Sequence, residues 1–307
     1  MEKISILFYN TMWKAPLQFK RDDLLPGYSI STDRRQLPYA DVVVFHLPDL
    51  CSCMNEDKII KQRGQIWVAW SLECEENYPW MKNKEFRDYF DLWMGYHLND
   101  DIIYSYYQAN YEKKLKETPF CIRENKVCMF ISSDFNKSHR KEYLAELMKH
   151  IEIDSYGKLY NNKRLEKDEG KESLLKTILR YKFVIAFENS IAEDYVTEKF
   201  YNPLLAGTVP IYKGAPNVGD FIPGEKCFLD VNLFSTPKEL AEFIKECYKD
   251  KKLYMQYHEW RKKPVLYSFK EKLEEIQTSP FARLCNKIQE IKRNKSNKIF
   301  CNKNNML

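Results

Sequence analysis

Four polar residues in one segment of this chain have the chemistry to hold a nucleotide sugar: Asn189, Tyr195, Glu198 and Lys199, within FVIAFENSIAEDYVTEKFYNPLLAGTVPIYKGAPNVGDFIP at 183–223. A lysine at a helix start adds a point charge for a phosphate, where free N–H groups and the helix dipole already favour an anion. A carboxylate beside it can accept both hydroxyls of a ribose. The spacing predicts a helix that starts near Tyr195, capped by Glu193 or Asp194, with Tyr195, Glu198 and Lys199 sharing a face at i, i+3 and i+4. Spacing by itself leaves open a solvated Glu–Lys face beside a core tyrosine.

Two further cations stand where anions bind in parallel α/β units. Arg140 falls in the first turn of a helix expected after the strand 127–131, over the carboxyl edge of a sheet. Its planar fork suits a diphosphate, though the position also suits a surface helix residue. Lys158 follows the strand 153–156 and the turn glycine Gly157, and is assigned to phosphate or to loop structure. In the first half of the chain, an acidic loop with Glu73, Glu75 and Glu76 follows the strand 66–70.

Positioning these residues takes alternating strands and helices. Apolar runs at 4–8, 42–45, 66–69 and 91–93 read as strands of a first unit, and 42–45 is mostly β-branched, as a strand buried on both faces should be. A second unit opens with the strand 127–131. Ser138 is expected to cap a helix with apolar positions Tyr143, Leu144, Leu147, Met148 and Ile151. A strand at 153–156, a helix at 173–181, the strands 183–187 and 208–212 and an amphipathic helix at 237–249 follow, and Gly207 ends the helix between the last two strands. The expected domains are 1–124, 125–279 and a C-terminal helix with basic tail at 280–307. The fold class is α/β, with two doubly wound sheets facing a cleft.

Composition narrows the class. With 44% hydrophobic and 30% charged residues, the 307-residue chain is globular and long enough for two α/β domains. Net charge is +5, spread over 49 basic and 44 acidic residues, which does not mark a nucleic-acid binder. Nine cysteines with only a lone Cys51–Ser–Cys53 pattern give no zinc signature, so reduced thiols are expected. No apolar run has membrane-spanning length, and MEKISILFYN reads as a first strand rather than a signal peptide. A cytoplasmic or peripheral-membrane location is the expectation. Lys287, Lys292, Arg293, Lys295 and Lys298 make the C-terminus basic. It reads as a docked helix with a frayed tail, or as a contact for an anionic membrane surface.

The literal residues FENS…DYVTEKF…AGTVPIYKGAPNV…FIP resemble the donor-binding motif of the α1,3-fucosyltransferase family, glycosyltransferase family ten. SDFNKSHRKEYLAELMKHIEIDSYGK and WVAWSLECEEN also resemble family segments, and the likeness runs best over 65–225. It implies the GT-B arrangement of two Rossmann-like domains. Asn189, Tyr195, Glu198 and Lys199 would then contact GDP-fucose, Arg140 would touch its phosphates, and Lys158 would stand at the family's basic position after Tyr-Gly.

Matched residue by residue, the family's base is Glu73. Cys74-Glu75-Glu76 replaces the family's Ser-Pro, so Glu75 and Glu76 are its rivals, and His97 stands where an arginine is common. The resemblance implies an inverting transfer of L-fucose from GDP-fucose to a hydroxyl of an N-acetylglucosamine or N-acetyllactosamine type glycan, most simply α1,3. An essential metal is not expected from the residues, because Asp100-Asp101 is a poor metal motif and Arg140 and Lys199 can supply the cations. Two alternatives stand beside it: a GT-B transferase for another nucleotide sugar, and a non-catalytic glycan-binding relative. Golgi members carry an N-terminal anchor and stem, and on that ground the chain resembles the soluble microbial type or a trimmed form.

Overall fold

The computed structural model describes residues 3–17, 19–51, 59–118 and 123–304. Cys53 and residues 305–307 of the basic tail lie outside these. The chain forms two compact units, residues 1–105 with 276–307, and residues 106–275.

The first unit is a six-stranded parallel sheet. Its strands are β1 (Ile4–Phe8), β2 (Tyr28–Ser31), β3 (Val42–His46), β4 (Ile66–Ser71), β5 (Leu92–Gly95) and β6 (Ile102–Ile103). Their order is β2-β1-β3-β4-β5-β6, and every pairing is parallel. β3 and β4 are buried along their whole length, which explains the unbroken Val-Val-Val-Phe run. Side chains alternate between two cores. Val42, Val44, Val68 and Trp70 face one. Val43, Phe45, Trp67 and Ala69 face the other.

The C-terminal helix Pro280–Asn304 belongs to this unit. Phe281, Leu284, Cys285 and Ile288 recur at helical spacing and enter the core with Val44 and Trp70. Tyr28 donates its hydroxyl to the Cys285 carbonyl at 2.9 Å. Lys292 pairs with Asp41 at 3.0 Å. Burying Phe281, Leu284 and Ile288 contributes about 1.5–3 kcal/mol each. Among the described residues no helix is long and apolar enough to cross a membrane.

The second unit is a five-stranded parallel sheet. Its strands are β7 (Glu124–Met129), β8 (Ile153–Ser155), β9 (Tyr181–Phe187), β10 (Val209–Lys213) and β11 (Leu229–Asp230). Their order is β11-β10-β9-β7-β8. Helices α1 (Arg140–Leu147), α2 (Lys171–Ile178), α3 (Glu198–Leu205) and α4 (Pro237–Lys249) cover the sheet. Leu144 and Leu147 of α1 pack with Leu240, Ala241 and Ile244 of α4 over Phe183 and Ile185.

Several boundaries differ from the sequence reading. The units divide after Ser105 rather than after 124, because the helix Tyr111–Glu117 packs within the second unit. Arg261 donates to the Leu115 carbonyl at 2.5 Å, and the Tyr111 ring meets Tyr201 edge-on at 5.6 Å. The helix expected at 173–181 ends at Ile178, and Tyr181 already belongs to β9. β2, β6, β11 and the helix Tyr267–Glu275 were not anticipated.

Candidate active site

The carboxyl ends of β7, β9 and β10 gather the second unit's polar residues. Ser138, after β7, donates its hydroxyl to the Glu188 carbonyl at 2.6 Å and its N–H to the Asn189 carbonyl at 3.1 Å. That use of the hydroxyl explains why Ser138 does not cap α1 as expected. The helix starts at Arg140 behind His139, which holds a left-handed φ of 54°. Lys213, at the end of β10, donates to the Ser138 carbonyl. The three strand ends are thereby stitched together.

Arg140 is fully buried. It donates to the Phe187 carbonyl at 3.2 Å and to the Ser133 carbonyl at 2.9 Å. Burial lowers its pKa while the Glu188 charge opposes, and a guanidinium stays charged in either case. Arg140 therefore braces the two loops that begin at the ends of β7 and β9, whatever else it touches.

α3 begins three residues later than its spacing suggested. Thr197 is its N-cap, and its hydroxyl accepts the Lys199 N–H at 3.3 Å. Thr197 is itself gripped by Glu188, whose Oε1 accepts the Thr197 N–H and whose Oε2 accepts the Thr197 hydroxyl, both at 2.8 Å. Asp194 takes a left-handed φ of 63°, so the chain turns before the helix. Tyr195 precedes α3, and the shared helical face of Tyr195, Glu198 and Lys199 is not formed.

Glu198 and Lys199 do sit together in the first turn. The Lys199 ammonium lies 3.0 Å from Glu198, 3.1 Å from the Thr197 hydroxyl and 3.5 Å from Glu188. Burial alone would lower Lys199, but the Glu188 and Glu198 carboxylates outweigh it and raise its pKa. Burial raises Glu188. For Glu198 burial pushes upward, but Lys199 wins and the pKa falls. Glu198, Lys199 and Asn202 border a crevice of about 70 Å³ whose floor includes Phe130, Leu174 and Ile178.

Tyr195 is buried, its carbonyl accepting the Tyr212 hydroxyl at 3.4 Å and its ring edge-on to Tyr106 at 6.2 Å. Asn189 is buried beside Glu188. Lys158 is exposed, and its backbone N–H donates to the Ser132 hydroxyl at 3.3 Å. Gly214 has no room for a side chain, since a Cβ there would come within 2.6 Å of the Glu188 Cγ and closer still to the Tyr212 hydroxyl. Gly207 takes the left-handed φ of 72° expected of the residue after α3.

In the first unit, Glu73 lies two residues past β4. The Ser71 hydroxyl donates to the Glu73 carbonyl at 3.0 Å and accepts the Glu73 N–H at 3.1 Å, fixing a tight turn at the strand's end. Glu75 accepts the Tyr96 hydroxyl at 2.5 Å and His97 Nε2 at 3.3 Å. Burial would raise Glu75, but these bonds bring its pKa down to about 2. Glu76 pairs with Lys82. Asp100 accepts the His97 N–H at 3.2 Å and Asp101 the Trp93 N–H at 2.8 Å. No group of three or more metal-ligating side chains occurs among the described residues.

Glu188, Thr197, Ser138 and Lys213 complete the second unit's cluster; Glu188, Thr197 and Lys213 were not singled out from sequence, and Ser138 was read only as a helix cap. A carboxylate directly after an apolar strand, nine residues before a helix-capping threonine, was the available signal.

Two doubly wound parallel sheets define the GT-B class of fold. A crystal structure of an α1,3-fucosyltransferase with GDP-fucose has it too, at TM-score 0.59 and 18% identity over 90% of this chain and 89% of that one. Residues 1–107 match the fucosyltransferase N-terminal model and residues 121–303 the glycosyltransferase family 10 (fucosyltransferase) C-terminal model. The chain belongs to glycosyltransferase family 10.

Among relatives, α-(1,3)-fucosyltransferase B of Drosophila melanogaster is 31% identical over 252 residues, covering 75% of this chain and 56% of that protein. Mouse 4-galactosyl-N-acetylglucosaminide 3-α-L-fucosyltransferase 9 is 34% identical over 244 residues, 78% of this chain and 65% of its own length. GDP-fucose protein O-fucosyltransferase 3 of Xenopus tropicalis is 44% identical over 139 residues, 43% of this chain and 30% of that protein. The chain thus spans only about a third to two thirds of the length of these relatives.

Proposed function

We propose that the chain transfers L-fucose from GDP-fucose to a sugar hydroxyl, with inversion and most simply in α1,3 linkage to an N-acetylglucosamine or N-acetyllactosamine type glycan. The observation that carries the donor half is the capped start of α3. There Lys199 stands beside Glu198 at a helix N-terminus, on a cap gripped by Glu188.

In this reading the N-terminus of α3 and Lys199 meet the diphosphate, with Arg140 and Lys213 as further positive charge at the same sheet edge. Glu198 takes the ribose hydroxyls. Asn189 and Tyr195 shape the surroundings of the sugar, and Lys158 meets a phosphate only if its exposed side chain swings inward. Glu73 removes the acceptor hydroxyl's proton as that oxygen attacks C1 of fucose. The bond from C1 to the β-phosphate oxygen breaks, and GDP leaves with the electron pair. Glu75 is a poor base near neutrality at a pKa of about 2, and Glu76 is committed to Lys82.

A second reading has one observation behind it: the 44% identity over 139 residues to a protein O-fucosyltransferase. There the acceptor is a serine or threonine hydroxyl of a polypeptide. GDP release should be measured against N-acetyllactosamine, lactose, N-acetylglucosamine and a folded Ser/Thr-bearing domain, each with and without EDTA. Fucosylated N-acetyllactosamine formed in EDTA supports the glycan reading. Transfer to the domain alone supports the second reading, and release with no acceptor dependence overturns both.

A further inference from the structure

A second polar cluster lies at the carboxyl edge of the first unit's sheet. Asn10 follows β1, His46 ends β3 and Trp70 is the penultimate residue of β4, and these strands are neighbours. Asp49 Oδ1 accepts from His46 Nδ1 and from Asn10 Nδ2, both at 2.6 Å. Asn10 also donates to the His46 carbonyl at 2.7 Å and accepts the His46 N–H at 2.9 Å. Asp49 holds the imidazole at Nδ1, and Asn10 holds the His46 backbone.

Asp49 Oδ1 already accepts from Asn10 Nδ2, so His46 Nδ1 is the donor in its own bond to that oxygen. Burial is the largest influence on His46 and lowers its pKa against the pull of Asp49, which favours the neutral ring. Nε2 therefore bears a lone pair. It is buried and bonds to no protein group among the described residues. The Trp70 ring centroid lies 5.2 Å from that of His46, and the Trp70 Nε1–H, which can only donate, is likewise buried without a protein partner among the described residues. An acceptor and a donor, each expensive to leave unmatched, sit on adjacent rings. A hydroxyl reaching between the two rings would satisfy both, donating to Nε2 and accepting from Nε1–H. Trp13, 52% exposed and in a left-handed conformation, lies 5.2 Å from the His46 ring and presents an aromatic surface beside the pair.

We propose that His46 Nε2 and Trp70 Nε1 form a hydroxyl-binding site that reads one hydroxyl of the acceptor sugar other than the one fucosylated, with Trp13 moving aside to admit it. This rests on the glycan reading of the acceptor. A sealed-in water offers the same chemistry, and the experiment separates the two.

The full chain, with ¹⁵N-labelled histidine, is titrated with N-acetyllactosamine in the absence of donor. A shift of the His46 Nε2 resonance is expected; a resonance that stays fixed at saturating acceptor points to sealed water and overturns the proposal. Transfer is then measured with a panel of monodeoxy acceptors on the wild type, His46→Phe and Trp70→Phe. One deoxy acceptor should raise KM about tenfold in the wild type and far less in either variant, with the KM for GDP-fucose unchanged. Identical deoxy ratios in wild type and Trp70→Phe, which removes the N–H donor, overturn the proposal even if His46→Phe does not fold. A wild type that transfers nothing to sugars sinks the glycan reading, while the titration still decides the site.

Discussion

Glu188 holds Thr197 at two points, backbone N–H and hydroxyl, each at 2.8 Å. The end of β9 and the start of α3 are thereby locked together nine residues apart. The lock fixes the direction in which the helix presents its free N–H groups, and it puts a buried carboxylate 3.5 Å behind the Lys199 ammonium.

That geometry separates two kinds of damage. Lys199→Ala removes a charge at the helix start and leaves the cap, so GDP affinity should drop about ten- to a hundredfold, and Tm should also fall because the buried Glu188 carboxylate loses its ammonium. Thr197→Val removes both the cap oxygen and one Glu188 bond, so it should cost about 1–3 kcal/mol of stability and weaken GDP as well. Calorimetric titration of GDP beside thermal unfolding checks both. Unchanged affinity in Lys199→Ala would remove that residue from the phosphate site.

This distinction marks where the sequence stops being readable. Buried parallel strands were legible because 42–45 and 183–187 are apolar on both faces, and the Gly207 stop was legible from residue type alone. The start of α3 was not. Asp194, Glu193 and Thr197 are all plausible caps by type, and the choice was made by Glu188, nine residues away in sequence and adjacent only once β9 and α3 pack. Arg140 shows the same limit: position marked it as an edge cation, but its burial against two loop carbonyls is a tertiary fact. The C-terminal segment read as a docked helix with a frayed tail, yet only folding shows which core its apolar face completes.

Two carboxyls in the first unit should give opposite pH signatures. Glu75 is held at about 2 against an ordinary 4.5, so its contribution to stability is present above pH 4.5 and is lost as pH falls toward 2. Glu75→Gln should therefore lower Tm at pH 6 and match the wild type near pH 2. Asp100 is raised by burial to about 6 from 3.8, so its contribution is present below pH 3.8 and is lost as pH rises through 6. Asp100→Asn should gain on the wild type between pH 4 and 7. Thermal unfolding across pH 2–8 tests both signs, and parallel curves for a variant and the wild type would refute the corresponding assignment.

The C-terminal helix sets a sharp truncation boundary. Ending the chain after Lys292 keeps Phe281, Leu284, Ile288 and the Lys292–Asp41 pair, so the fold and transfer to soluble acceptors should survive. Ending it before Ile288 strips a fully buried side chain and all that follows, and should lower Tm by several degrees or abolish folding. Equal stability of the two truncations would show that the helix is not part of the core.

Glu73→Gln should keep the fold and GDP-fucose binding and lose transfer. The backbone of Glu73 already makes the turn with Ser71, so a near-isosteric amide leaves that turn intact. Glutamine cannot take the acceptor's proton, and a positioned general base is worth about 10²–10⁴ in rate, so kcat should fall by at least that order. Glu76→Gln breaks a half-exposed pair with Lys82 and should cost little. Glu75→Gln is the sharper control, because it removes the bonds to Tyr96 and His97 and so disturbs the same loop without touching the proposed base. It should lower stability and spare most of the turnover. If Glu73→Gln kept its kcat while Glu75→Gln lost a hundredfold at full folding, the base would be Glu75, and its low pKa would have to rise when acceptor binds.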